Sequence, residues 1–250
     1  QGLRISTRGF GARAPFGIRG IRLLVDGFPE TLPDGQSQTD AIALDSAERI
    51  EVIRGPAAVA YGNAAGGVID VTTADGRDMA WSPQVRFVGA SYGHRELGLR
   101  HGGSTDEWAY HVGAGTMRRD GFREQSHVER SRLNAKLTRR LGSGREVRAV
   151  FTALDNPVAE DPGGLTADEV EADRRQAAPN ALALDSKQSA RQQRLGLRWR
   201  DAETGPGALT LDAFYTRREF QQQLPFPGSS LLGYDRDFFG AAAEYAGEAR

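Results

Sequence analysis

From Gln84 to the end of the chain, apolar and polar residues alternate with a period of two, in segments of about ten residues. Leu133, Ala135 and Leu137 fall on one side; Arg132, Asn134, Lys136 and Thr138 fall on the other. Val147, Ala149, Phe151 and Ala153 form a second apolar face, and Leu195, Leu197 and Trp199 a third, opposed by Arg194 and Arg198. Leu209, Leu211, Ala213 and Tyr215, with Asp212 opposite, repeat the pattern, as do Phe239, Ala241, Ala243 and Tyr245. Between Glu107 and Met117, Trp108, Tyr110, Val112, Ala114 and Thr116 oppose His111, Gly113 and Gly115. Side chains on a strand point alternately to the two faces, so this pattern requires an antiparallel sheet with one apolar side.

Alternation alone suits a soluble sandwich as well as a membrane barrel. The spacing of the breaks favours the barrel. Tight turns, at Gly93-His94 and at Leu141-Gly142-Ser143-Gly144, alternate with longer polar stretches. The longest of these runs from Asn156 to Gln188 and reads as an external loop. Tyr92, Trp108, Tyr110, Trp199, Tyr215 and Tyr245 are candidates for interfacial girdles. No apolar run approaches the roughly 20 residues of a spanning helix, so a membrane-embedded form of this chain must be a closed barrel.

Composition narrows the function. With 32 basic and 33 acidic residues the net charge is -1, against the basic excess of a nucleic-acid binder. The absence of cysteine excludes disulfides, thiol catalysis and thiolate metal sites. None of His94, His101, His111 and His127 stands in HxxxH or HExxH spacing; His94 and His101 read as rim or lumen residues. GNAAGG at Gly62 to Gly67 lacks the lysine of a phosphate-binding loop. The chain does not read as an enzyme.

Residues 1–78 are different: short apolar runs broken by Gly, Pro and Asp. Ile21 to Val25 reads as a strand with a turn at Asp26-Gly27, and Ile50 to Ile53 and Val68 to Thr73 as two more. Ser46 to Arg49 reads as a short helical turn, and Pro56 to Gly62 as a short helix with proline in its first turn. The expected fold is thus a small α/β domain over 1–78, followed over 79–250 by about eight strands of a large antiparallel barrel. A first domain of roughly 12 Å radius cannot enter an eight-stranded barrel, whose interior only side chains fill. The barrel is therefore expected to be incomplete, and the chain to be an internal part of a larger protein.

Four motifs in order carry a family resemblance: STRGFG from Ser6, IRLLVDGFP from Ile21, ERIEVIRGP from Glu48 and YGNAAGGVIDVTT from Tyr61. Together they resemble the plug of TonB-dependent outer-membrane receptors. The stretch PFGIRGIRLLVDGFPETLPDGQSQ further resembles receptors of the pyrroloquinoline quinone uptake type. The resemblance implies import through the bacterial outer membrane of a scarce ligand, a ferric siderophore or pyrroloquinoline quinone. It implies as partners TonB with its inner-membrane energising complex, the small ligand and membrane lipid, and no nucleic acid. No cofactor is implied; iron would come only within a transported chelate. A signal-transducing receptor of the same architecture and a soluble all-β surface module are the rival expectations.

Carried over by motif, three apical plug loops would face the ligand: Gly11 to Arg19, Pro29 to Ser37, and about Gln38 to Leu44. They place Arg13, Phe16, Arg19, Asp34, Gln36 and Gln38 as ligand contacts. Arginines suit an anionic ligand, and Phe16 a flat ring. Enclosed plug charges need partners. The resemblance assigns Arg8, Glu48, Glu51 and Arg54 to ion pairing between plug and barrel, with plug arginines meeting wall carboxylates.

Overall fold

A computed structural model describes residues 5–7, 9–12, 17–55, 61, 64–77, 81, 83–204, 207–228 and 231–247. The first domain carries β1 (Ile18–Arg19), β2 (Arg22–Val25), β3 (Phe28–Pro29), β4 (Gln36–Ser37), β5 (Ala47–Ile53) and β6 (Val68–Thr73). Its sheet runs β3-β2-β6-β5, with β2 and β6 parallel and the other pairs antiparallel. Ile18, Ile21, Leu23, Val25, Ile42 and Val71 form its core. β2 and β3 are joined by Asp26-Gly27, with φ of 56° and 84°. Two successive left-handed residues match a hairpin to strand twist, and Asp and Gly tolerate that geometry.

The second part is one antiparallel sheet of eight strands in sequence order. These are β7 (Gln84–Ala90), β8 (His94–Ser104), β9 (Trp108–Arg119), β10 (Val128–Gly142), β11 (Arg145–Glu160), β12 (Lys187–Thr204), β13 (Gly207–Gln223) and β14 (Leu231–Gly247). Nearest-neighbour order is what hairpin-linked strands produce, and β7 and β14 are not paired with each other. The curved sheet is an open part of a barrel around the first domain, as expected.

Register aligns the apolar faces. Trp108, Arg139, Val147, Trp199, Leu211 and Ala243 lie on one ladder row. Tyr110, Leu137, Ala149, Leu197, Ala213 and Ala241 form the next, and Val112, Ala135, Phe151, Leu195, Tyr215 and Phe239 the one above. These outward rows are an apolar belt; Phe239 stays 75% exposed because it has no protein to face. Trp108, Trp199 and Tyr245 edge the belt toward the short turns, where the Arg139 guanidinium lies 5.0 Å from the Trp108 ring. No helix is long and apolar enough to cross a membrane among the described residues.

Three expectations are corrected. The segment Ser46 to Arg49 is not helical: a 3-10 turn covers Leu44–Ser46, and β5 begins at Ala47 because it pairs with Thr73 of β6. Cross-strand pairing overrides a weak local tendency. The loop expected over Asn156–Gln188 is shorter, since β11 continues to Glu160 and β12 starts at Lys187. Strands that rise above the apolar belt no longer need apolar residues, so their ends are silent in the hydropathy pattern. Finally, His101 is not in the lumen: it faces outward beside Leu99, and its ring nitrogens lie 2.9 Å from the Trp81 carbonyl and from the Tyr110 hydroxyl. The helix expected over Pro56 to Gly62 lies outside the described residues, apart from Tyr61.

The loops at the far end pack on one another. Within 161–186, α1 (Ala167–Ala172) starts with a capping box of Thr166 and Glu169, and α2 (Pro179–Ala183) has proline in its first turn. The Arg123 guanidinium donates to the carbonyls of Gln176, Gly163 and Pro162 at 2.9, 2.7 and 3.1 Å. Phe122 meets Tyr92 edge-on at 5.4 Å, so loops 91–93, 120–127 and 161–186 form one body.

Candidate functional site

The site is the seam between the first domain and the polar face of the sheet. Lumen-facing positions alternate with the belt: Ala190, Gln192, Arg194, Gly196 and Arg198 on β12, and Asp212, Phe214, Thr216, Arg218 and Phe220 on β13. Opposite β10, β12 and β13 stand three carboxylates of the first domain, each placed by a local device.

Asp26 occupies the left-handed turn after β2. Its Oδ1 accepts from the Thr73 amide at 3.0 Å and its Oδ2 from the Thr73 hydroxyl at 2.7 Å. The Lys136 ammonium of β10 donates to Asp26 Oδ1 at 2.6 Å and to the Thr73 carbonyl at 2.5 Å. Both side chains are buried, at 1% and 0% exposure. Desolvated charges persist only when paired and hydrogen-bonded, and this pair is both.

Glu30 follows β3 and is pinned by its amide donating to the Leu23 carbonyl at 2.9 Å. It pairs with Arg194 at 2.5 Å and accepts from the Gln192 amide group at 3.3 Å. Asp40 caps a turn in which the Ile42 amide donates to the Thr39 carbonyl. Arg218 donates to both Asp40 oxygens, at 3.2 and 2.6 Å, to Gln38 at 3.3 Å and to Gln192 at 2.8 Å. One polar network thus runs Arg194–Glu30–Gln192–Arg218–Asp40. A fourth link, Arg77 to Glu146 at 3.0 Å, is half-exposed and lies at the short-turn end.

Two lumen glycines let the first domain approach the wall. A β-carbon at Gly196 would stand 2.6 Å from the buried Phe28 ring. One at Gly113 would collide with the Ser46 hydroxyl.

The expected site residues divide. Arg8, Arg13 and Phe16 lie outside the described residues. Arg19, Asp34 and Gln36 come together: Arg19 pairs with Gln36 across β1 and β4, the Arg19 guanidinium donates to the Asp34 carbonyl at 3.2 Å, and Asp34 accepts from the Gln36 amide at 3.0 Å. Gln38 belongs to the Arg218 network instead. Glu48, Glu51 and Arg54 are exposed on or beside β5, where Glu51 pairs with Arg49 at 3.2 Å. Among the described residues the buried pairs have the reverse polarity to that expected: carboxylates on the first domain, cations on the wall. Among the described residues, Arg77–Glu146 alone pairs a first-domain arginine with a wall carboxylate. Sequence reasoning missed Lys136, Arg194 and Arg218 although each sits at a lumen position of its strand. The signal was there: a basic residue opposite an apolar face must point at something.

Residues 1–68 match the family described as TonB-dependent Receptor Plug Domain. The first domain is similar to the plug of TonB-dependent receptors, a match that covers about a quarter of the chain. In fold, the first domain corresponds to a plug and the eight-stranded sheet to an open part of a barrel wall. Over 41 residues, 16% of this chain and 6% of the other, it is 56% identical to the ferric enterobactin receptor of Pseudomonas aeruginosa. The solved ferric citrate transporter FecA, unliganded, superimposes with a TM-score of 0.71 at 21% identity over 98% of this chain and 39% of that one. The copper transporter OprC gives 0.70 at 14% identity, over 94% of this chain and 37% of OprC. BauA, the ferric preacinetobactin receptor of Acinetobacter baumannii, gives 0.67 at 13%, over 92% and 36%. At these identities the likeness is one of fold. The chain spans less than two fifths of the length of each of these solved receptors.

Proposed function

We propose that this chain is the gated part of an outer-membrane importer, in which the plug closes the barrel and is released to let a scarce metal chelate through. The observation that carries the reading is the set of buried ion pairs Asp26–Lys136, Glu30–Arg194 and Asp40–Arg218. A separate domain sits against the lumen wall, where apolar contacts of Ala41 with Leu154 and Ala190 and of Phe28 with Phe214 are joined by these polar ones. Water entering the seam can take over such contacts, whereas an apolar core offers no comparable exchange. Energy for release would come from TonB and its inner-membrane complex. The names of the matched relatives, a ferric enterobactin receptor, a ferric citrate transporter and a copper transporter, support a metal or metal chelate as cargo. Iron then arrives inside the ligand and is not a resident cofactor. Lipid is the partner of the outward belt.

The test is uptake by cells carrying the full-length receptor. Radiolabelled ferric chelates and pyrroloquinoline quinone are offered, with and without TonB. TonB-dependent uptake of a ferric chelate supports the reading. Uptake of the quinone alone keeps the gate but makes the protein a quinone scavenger. Passage of either without TonB removes the gate.

A further inference from the structure

Of the four histidines, His111 alone is buried, and it stands beside one of the ion pairs that hold the plug. It lies on the lumen face of β9, directly opposite Lys136 of β10. Neither ring nitrogen makes a hydrogen bond. The side chains of Asn134 and Thr138, buried on either side of Lys136 along β10, have no partners either. Buried polar groups without partners are exceptions that call for a reason. Charged groups face this spot from each neighbouring element. β8 supplies Arg100, a diagonal neighbour of His111 on the lumen face, and β10 supplies Lys136. β11 supplies Arg148, opposite Thr138 and already paired with Glu146 at 2.8 Å. The first domain supplies Asp26, which takes Lys136 at 2.6 Å and both donors of Thr73. Asp75, after β6, acts on Lys136 and is paired with Arg77 at 3.0 Å. Asp45 lies over Gly115, about 13 Å along β9 from His111.

We propose that His111 is a proton sensor of the plug lock: a proton taken up by its ring sets a second cation against the Lys136 ammonium and favours the plug moved off the wall. This rests on reading the first domain as a releasable plug, and adds control of that release by pH. Histidine is the side chain whose charge changes near neutral pH. Like charges directly opposite each other on a ladder destabilise the pair. In the docked arrangement a ring proton has no acceptor, since neither nitrogen is in hydrogen-bond contact, and Asp26 is already satisfied by Lys136 and Thr73. When the plug moves away, the Ser46 side chain that packs over Gly113 beside the ring goes with it, water reaches the ring, and the imidazolium is hydrated. The released form therefore accommodates the proton better than the docked one, and acid favours release.

The test is plug release by urea from the full-length receptor in detergent, at a series of pH values from 7.5 to 5.5. Wild type is compared with His111→Gln, which is polar but does not titrate. Asp70, the seam carboxylates and the other histidines are common to both proteins and cancel in the ratio of their release constants. The expected result is a wild-type to variant ratio that rises as pH falls, by about tenfold at pH 5.5, one unit below the ordinary histidine value of about 6.5. A heat-modifiable gel shift identical to wild type shows that the variant barrel is assembled; if it is not, His111→Leu is measured in its place, with the same expected direction. A ratio that does not change with pH overturns the sensor. So does a ratio that falls in acid, which would mean that the protonated ring reaches Asp45 and tightens the seam. Either result leaves the import reading standing. A plug that never leaves before the barrel itself unfolds overturns the releasable plug on which both rest.

Discussion

The Lys136 ammonium lies 2.6 Å from Asp26 and 2.5 Å from the Thr73 carbonyl, so one wall residue grips both a turn and a strand end of the plug. Asp26 sits at the end of β2 and Thr73 at the end of the parallel strand β6. Replacing Lys136 by Met leaves the Asp26 carboxylate buried with only Thr73 as donor. Removal of one partner of a buried pair costs about 3–5 kcal/mol. The plug should unfold or leave the barrel at lower urea, read by hydrogen exchange of β2 and β6 in the full-length receptor. Adding Asp26→Asn should restore much of the loss, because the uncompensated charge is gone. A double variant as weak as Lys136→Met would show that the pair is not what holds the turn.

Gly196 faces Phe28, whose ring is 1% exposed, and a methyl group there would press on three ring carbons at 2.6 to 2.8 Å. Overpacking of this kind costs about 1–3 kcal/mol. Gly196→Ala should therefore loosen the plug, and Phe28→Leu should relieve it. The measurement is plug release by urea in the two single variants and the double. If Gly196→Ala is as stable as wild type, the ring has room that the static packing does not show.

The barrel was legible because its physics is local: the outward rows of Leu137, Ala149, Leu197 and Ala213 repeat a period of two that no helix shares. The plug was legible through four motifs, each holding a glycine at positive φ: Gly9, Gly27, Gly55 and Gly67. The pairing of plug with wall was not. Asp26 and Lys136 are 110 positions apart, and nothing in either neighbourhood names the other. Period two shows that Lys136, Arg194 and Arg218 face the lumen; only register shows that Glu30 stands before Arg194 and not before Lys136. The extra length of β11 and β12 was hidden for the opposite reason, since above the belt both faces are polar.

Arg123 holds loop 161–186 by three carbonyls, and Glu124 adds a backbone bond to the Arg175 carbonyl at 2.8 Å. A lysine has the charge but not the fork, so it can serve one carbonyl at a time. Arg123→Lys should raise amide exchange across 161–186 while leaving β11 and β12 protected. Each charge-assisted bond lost is worth about 1.5–3 kcal/mol, against a loop with little buried apolar surface. Unchanged exchange would mean that the short helices hold the loop by themselves.

Asp70 supplies a pH dependence within the plug. It lies on β6 opposite Glu51 of β5, and burial raises its carboxyl above the usual aspartate range, with Asp26 and Glu51 adding to the rise. A raised acid is protonated more readily in the folded state than in the unfolded chain. Its favourable contribution is complete below the unfolded value and is lost as pH rises through the folded one. At neutral pH the ionised Asp70 is therefore a burden, with a buried Oδ1 that has no hydrogen-bond partner. Asp70→Asn should stabilise the plug at pH 7 to 8, and the gain should fade as pH drops through the aspartate range and both forms become neutral. Urea titrations of plug release at a series of pH values would show the two curves converging in acid. Curves that stay parallel, or that cross with the aspartate form more stable at neutral pH, would mean that a cation of the seam neutralises Asp70 in the assembled receptor.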